Sequence, residues 1–191
     1  MIRFTPTENS NPKVGDILLS EPFLNDPFFG RKAILLCENN EDGSFGLVLN
    51  NIIDVDVEEI LKDFPDKSAR ISLGGPVNRS NMFFIHNSET IEGSNKIVEG
   101  VYLGGDFESL KETICSNIKG FKYRLFIGYS GWSEGQLHEE IKTRSWFVTK
   151  ASSELIMNSS DENEKVWKTL IKKMGDGYNH IADAPVDPTL N

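Results

Sequence analysis

Cysteine and histidine are scarce in this chain: two cysteines and three histidines stand among 191 residues. Cys37 and Cys115 lie far apart and neither has a CxxC partner, which excludes a disulfide framework and a dithiol redox motif. Both read as core thiols kept in a reducing compartment, which points to a cytoplasmic protein. His86, His138 and His180 are too scattered for a metal site. His138-Glu139-Glu140 has Lys142 one turn on, where the zinc helix motif needs a second histidine. No metal and no cofactor is expected. Long apolar runs are also missing. Nothing approaches the roughly 20 residues that span a bilayer, and the amino terminus, MIRFTPTENSNPK, has no hydrophobic leader segment. Membrane insertion and secretion are not expected. Positive charge is in the minority, with 20 Lys and Arg against 29 Asp and Glu and a net charge of −9. That field repels phosphate backbones and anionic surfaces, so direct nucleic-acid binding is not expected.

What is present is an ordinary globular mixture, 38% hydrophobic and 26% charged. The length suits one domain over residues 14–191 behind a flexible polar tail, residues 1–13. Short apolar runs predict strands at 15–20 (GDILLS), 32–37 (KAILLC, buried on both faces) and 45–50, the last two joined by a hairpin turn at Asp42-Gly43. Further strands are predicted at 70–73, 82–86, 97–103 and 146–149. Asp56 with Glu59 is a capping box for a helix carrying Val57, Ile60, Leu61 and Phe64 and ended by Pro65. Asp106 caps a second helix over 107–119, and a last helix spans 161–174, followed by a Pro-broken tail on the surface. Strands outnumber helices and hairpin-length links are common, so the fold class is α+β around a curved or partly closed sheet.

One stretch is more densely specified than the rest, 121–147 (FKYRLFIGYSGWSEGQLHEEIKTRSWF). Phe121, Tyr123, Leu125, Ile127 and Tyr129 alternate with Lys122, Arg124 and Phe126, the pattern of a half-buried strand. Gly128-Tyr129-Ser130-Gly131 reads as a sharp turn. Ser133 and Gln136 form a capping box that opens a short helix with Leu137 and Ile141 on one face. The G-Y-S-G-W sequence approaches the G-x-S-x-G elbow of serine hydrolases, but Trp132 stands where a small residue lets the helix pack close. The plainer reading is a tight turn whose Ser130 hydroxyl bonds backbone. Trp132 has two readings that stay open: the anchor of a recognition patch with Tyr129, Gln136, Glu139 and Glu140 around it, or a core plug. The candidate binding residues are therefore Tyr129, Ser130, Gly131, Trp132, Gln136 and Glu139, with His86 added from the end of another strand. No catalytic residue is assigned. Elsewhere the chemistry is plain. Gly104-Gly105 meets Asp106, whose carboxylate occupies the helix amides, and Gly74-Gly75 meets Pro76, so neither cradles phosphate. Lys165, Lys168, Lys172 and Lys173 lie late in the last helix behind acidic residues, as helix-dipole complementarity predicts.

GDILLSEPFLNDPFF, CENNEDGSFGLVLN, GGPV at Gly74, YLGGD at Tyr102 and above all GYSGWSEGQLHEEI, in this order, resemble the AlgH/YqgE family of bacterial proteins over residues 14–191. Asn39 departs from the family, where a histidine is common, and so does Asn51-Ile52, where an Arg/Lys-Pro step is usual. The resemblance implies a bent, branched, mostly antiparallel sheet forming a pseudo-barrel flanked by helices. It implies a cytosolic protein of the kind called transcriptional regulators, with no catalytic or ligand residues to carry over. The function expected is non-enzymatic binding or regulation through a protein partner or a small ligand. The alternatives are a hydrolase using Ser130 and a regulator that binds DNA directly.

Overall fold

Strand-length apolar runs, each closed by turn residues, build this protein as a sheet with helices packed on it. The computed structural model describes residues 11–24, 26–158, 163–175 and 178–183, without the side chains of 163, 164, 180 and 181. The elements are β1 (Ile17–Ser20), β2 (Ala33–Asn40), β3 (Gly43–Val48), β4 (Ile52–Ile53), α1 (Val57–Ile60), β5 (Ile71–Leu73), β6 (Val77–His86), β7 (Asn95–Val98) and β8 (Val101–Leu103). They continue with α2 (Phe107–Cys115), β9 (Tyr123–Ser133), α3 (Gln136–Lys142), β10 (Trp146–Thr149), α4 (Ser153–Met157), α5 (Asn163–Lys173) and α6 (Asn179–Asp183). The architecture is α+β. Ten strands form one sheet in the order β10-β1-β2-β3-β9-β6-β8-β7, with β4 and β5 branching from β9. The pairs are antiparallel except β5 with β9. The sheet is open, ending at β10 and β7.

β9 is the branch. One edge carries β6, from Val77↔Tyr129 to His86↔Tyr123. The other edge carries β5 along Leu125–Ile127 and then β3 along Ser130–Ser133. The changeover falls at Gly128, where φ is +65°. Here the link after β5 crosses close: Gly74 N–H donates to the Ile127 carbonyl (2.8 Å), and the Gly74 carbonyl accepts from Val48 N–H (2.9 Å). A Cβ on Gly74 would lie 2.4 Å from the Gly128 oxygen, and one on Gly128 would lie 2.7 Å from the Gly75 oxygen. The glycines at 74, 75 and 128 serve one backbone crossing. This corrects the expected turn at 128–131, because β9 runs straight through to Ser133.

Three apolar clusters hold the layers. β1 and β2 send alternate residues to two of them: Ile17, Leu19 and Leu35 pack with Trp167, Leu170 and Ile171 of α5, while Leu18, Ile34 and Leu36 pack with Trp132, Leu137 and Trp146 beneath α3. The run at 33–37 is buried on both faces, as its continuous apolar character predicts. Trp167 is fully buried and its indole donates to the Ser20 carbonyl at 3.1 Å. A side chain of this size contributes at least the roughly 1.5–3 kcal/mol of a buried aliphatic residue. The third cluster sets Val57, Phe64 and Leu110 on Ile71, Phe84 and Leu125.

Several local expectations need correction. Residues 97–103 form a hairpin rather than one strand, because Gly100 takes φ +71° and turns β7 into β8. α1 is one turn long, although Asp56 caps it by accepting from Glu58 N–H at 2.9 Å. Phe64 still reaches the core, but from beyond the helix. α2 stops at Cys115, earlier than Lys119. α4 was not anticipated; Ser152 caps it by accepting from Leu155 N–H. Ala182, which the sequence places in a surface tail beginning at His180, is buried beside α5, as is Tyr178 just ahead of that tail. Pro12 is also buried, and its carbonyl accepts from Asn39 Nδ2 at 2.7 Å. Residues 1–10 lie outside the described residues.

Candidate functional site

The end of β9 and the start of α3 meet the tip of the β2–β3 hairpin. Strand alternation decides which side chains face outward there. Tyr129, Gly131 and Ser133 point to one side and Ser130 and Trp132 to the other, where both are buried. Tyr129 is half-buried against Phe45 and Phe83, with ring centroids 5.1 and 5.7 Å away. Gly131 makes room for that ring, since a Cβ there would lie 2.9 Å from Tyr129 Cε2.

The result is a groove of about 500 Å³. Tyr129, Gly131, Trp132 and Gln136 line it, so four of the candidate residues come together. The hairpin adds Glu38, Asp42 and Phe45. Phe45 and Tyr129 form an aromatic floor, while Glu38 and Asp42 are exposed on the rim. A second cleft, of about 510 Å³, lies on the other side of the hairpin tip and includes Asn39, Leu137 and His138. Sequence reading missed Glu38, Asp42 and Phe45. The pairing of Phe45 with Gly131 that delivers them has no local signature.

Trp132 is a core plug, 6% exposed. Its indole donates to Glu140 Oε2 at 2.8 Å, and the Trp146 indole donates to the same oxygen at 2.7 Å. Gln136 Nε2 donates to Glu140 Oε1 at 2.9 Å, and Gln136 Oε1 accepts from the Ser133 amide and hydroxyl, both at 3.0 Å. The expected capping box is thus half formed. Gln136 reaches back as predicted, but the helix begins after Gly135 at φ +72°, and the Ser133 hydroxyl donates to Gln136 instead of capping an amide.

The remaining candidates lie elsewhere. Ser130 is fully buried and its hydroxyl donates to the Gly74 carbonyl at 3.2 Å, the backbone bond of the plainer reading. Glu139 sits exposed on α3 and pairs with Lys142 at 3.5 Å. His86 pairs with Tyr123 at the opposite end of β9, roughly 20 Å or more from Ser130 along the strand. It is fully buried and stacked on Tyr102, with Nε2 2.9 Å from the Gly104 carbonyl and Nδ1 accepting from Ser88 N–H at 3.3 Å. Those partners fix the neutral tautomer with the proton on Nε2. Burial lowers its pKa, outweighing the two backbone bonds. Neither His86 nor exposed His138 can serve Ser130 as a base. Burial likewise pushes the Cys37 thiol well above its ordinary range, which leaves it inert, whereas Cys115 is exposed at the end of α2 rather than the core thiol expected. The side chain of His180 lies outside the described residues. Among the described residues no three His, Cys, Asp or Glu side chains are grouped to hold a metal ion, and no helix is long and apolar enough to cross a membrane.

Comparison with known proteins places this architecture among relatives. A family model described as AlgH-like matches residues 17–179. A UPF0301 protein of Parabacteroides distasonis is 40% identical, covering 94% of this chain and 92% of that one. Another from Bacteroides thetaiotaomicron is 37% identical over 97% and 94%. The crystal structure of a Corynebacterium diphtheriae protein superposes with a TM-score of 0.73 at 22% identity, over 90% of this chain and 92% of that one. The solution structure of the AlgH protein from Pseudomonas aeruginosa gives 0.64 at 25% identity, over 83% and 85%.

Proposed function

The chain belongs to the AlgH-like family, and from that premise we propose that it works by binding, as a cytoplasmic regulator that meets a partner protein at the groove between the β2–β3 hairpin and Tyr129–Gln136. The observation that carries this reading is the groove's chemistry: carboxylates on the rim and aromatic rings on the floor. Carboxylates take Lys or Arg by charge-assisted hydrogen bonds, and an aromatic face attracts the same cations. The occupant is therefore a basic segment of a protein. A phosphate backbone is repelled by the same rim, so regulation runs through protein contact rather than DNA. The hydrolase alternative has little support, since Ser130 is sealed and bonded to backbone.

The test is capture from the source cell's lysate on wild type and on a Glu38→Lys, Asp42→Lys variant checked for folding, with and without nuclease. A partner that raised salt releases, and that the variant fails to hold, is the expected result. Identical profiles overturn the groove assignment. Capture that nuclease removes returns the DNA reading, and fluorophosphonate labelling that Ser130→Ala abolishes returns the hydrolase.

A further inference from the structure

A separate cleft, of about 400 Å³, opens near the start of β9, between the segment before β5 and the end of α4. Arg124 stands in its wall. The alternation pattern had placed Arg124 on a polar face, but it is 3% exposed and Phe126 beside it is fully buried, so β9 is covered on both faces. Its guanidinium donates from Nη1 to the Ile156 carbonyl at 2.8 Å and from Nη2 to the Leu49 carbonyl at 2.5 Å, with Ser72 Oγ 3.5 Å away. Nε has no partner. The plane lies 5.2 Å over the Phe126 ring. All of these partners are neutral, and among the described residues no carboxylate pairs with this charge. Buried charges are ordinarily paired, because an unneutralised one is costly in a poorly solvated site. Burial alone pulls the Arg124 pKa down to about 10, still far above neutrality, so the charge remains.

Two exposed cations, Arg70 and Lys122, share the cleft with Arg124. Asp66 is the one carboxylate among the lining residues. Its oxygens already accept from the Tyr123 hydroxyl (2.6 Å) and from the Ser68 hydroxyl (2.6 Å) and amide (3.0 Å). In a chain of net charge −9, this cleft concentrates positive charge over a buried, unneutralised guanidinium.

We infer that this cleft binds a small molecule through a single oxyanion group, a phosphate or a carboxylate. Arg124 supplies a fixed positive field from beneath, where burial limits screening. Lys122 supplies an exposed ammonium at the wall, and Arg70 adds positive charge beside it. Asp66 at the edge disfavours polyphosphates and suits a ligand that carries a hydroxyl or amine beside its oxyanion. The volume lies at the small end of ligand pockets, so the occupant is metabolite-sized. The inference does not depend on the hairpin groove, which lies at the other end of β9.

Nitrogen–proton NMR on the intact chain tests it, with inorganic phosphate and acetate titrated separately at constant ionic strength against chloride. The expected result is a saturable shift of the Arg124 Nε–H and of the Ser68 and Ser72 amides with phosphate, acetate or both, the stronger of the two naming the ligand's oxyanion. The charge-reversed pair Arg70→Glu, Lys122→Glu, both exposed positions, is expected to weaken binding at least tenfold while leaving the rest of the spectrum in place. Arg124→Met is expected to abolish the shifts of the Ser68 and Ser72 amides, and if it fails to fold the surface pair still decides. Shifts that rise linearly, that chloride reproduces, or that survive the double variant unchanged overturn the site.

Discussion

Replacing Glu140 by alanine removes the acceptor that two indoles share. Oε2 takes Trp132 at 2.8 Å and Trp146 at 2.7 Å, and Oε1 takes Gln136 at 2.9 Å. The two indole rings meet edge to face at 5.9 Å, and the tryptophans are 6% and 4% exposed. A hydrogen bond to a charged group contributes roughly 1.5–3 kcal/mol, and a buried donor left unpaired costs roughly 1–3 kcal/mol. Glu140 is itself only half-buried, so water enters part of the vacated space and each indole falls toward the low end. The expected loss is about 2–4 kcal/mol, or roughly 4–16 °C in Tm for a domain of this size. Glu140→Gln keeps the shape and an acceptor oxygen but loses the charge, and should cost about half as much. Urea unfolding followed by circular dichroism measures both, with tryptophan emission reporting whether the indoles become wet. A Glu140→Ala variant that loses less than about 0.5 kcal/mol at an unchanged m-value refutes the reasoning, because the indoles would then be satisfied without the carboxylate.

Two further outcomes follow from the backbone crossing and from His86. Gly75→Ala places a Cβ 1.8 Å from the Tyr129 carbonyl carbon and 2.2 Å from Ser130 N, atoms that cannot swing aside; the expected loss is about 3 kcal/mol or more. Gly104→Ala is the control, since nothing lies within 4 Å there and only its φ of +65° resists, at roughly 1 kcal/mol. Comparable thermal stability of the two variants would contradict the crossing. His86, with its pKa lowered by burial, stays neutral in the fold while the unfolded chain takes up a proton below about pH 6.5. Its contribution is therefore complete above that pH and is lost as pH falls toward the lowered folded value. Urea midpoints at about pH 7.5 and pH 5 should lie closer together in His86→Gln than in wild type, and equal gaps would show that another group carries the dependence.

Strands whose register is local were legible in the chain. Ile17–Ser20, Ala33–Cys37 and Trp146–Thr149 announce themselves by apolar runs closed by turn residues, and Asp106 announces its helix, accepting from Ser109 N–H at 2.8 Å. Gly128 misled because glycine serves a tight turn and a close crossing equally. What separates them is the Gly74 carbonyl, 56 residues from the Ser130 hydroxyl that donates to it. Arg124 misled because alternation describes a strand with one wet face, whereas α4 delivers the Ile156 carbonyl to cover the other. Along the proposed groove, Tyr129, Gly131, Trp132 and Gln136 are legible together because they are close in the chain. Glu38 and Asp42 are not, since only the pairing of β3 with β9 brings them opposite. The Trp132 indole finds its acceptor one helix later in Glu140, which settles the core-plug reading on a contact that spacing does not reveal.

The branch at β9 also dictates an order of events during synthesis. β3, β5 and β6 are all made before it, yet each has an edge that only β9 can cover. Until residues 123–133 leave the ribosome, those edges stand open, and open strand edges are templates for pairing with other chains. The sheet's two halves cannot join earlier, and β1 waits longer still for β10. A nascent chain of this fold therefore passes most of its translation without its central strand. A ribosomal pause shortly before residue 123 would hold it at its most aggregation-prone length.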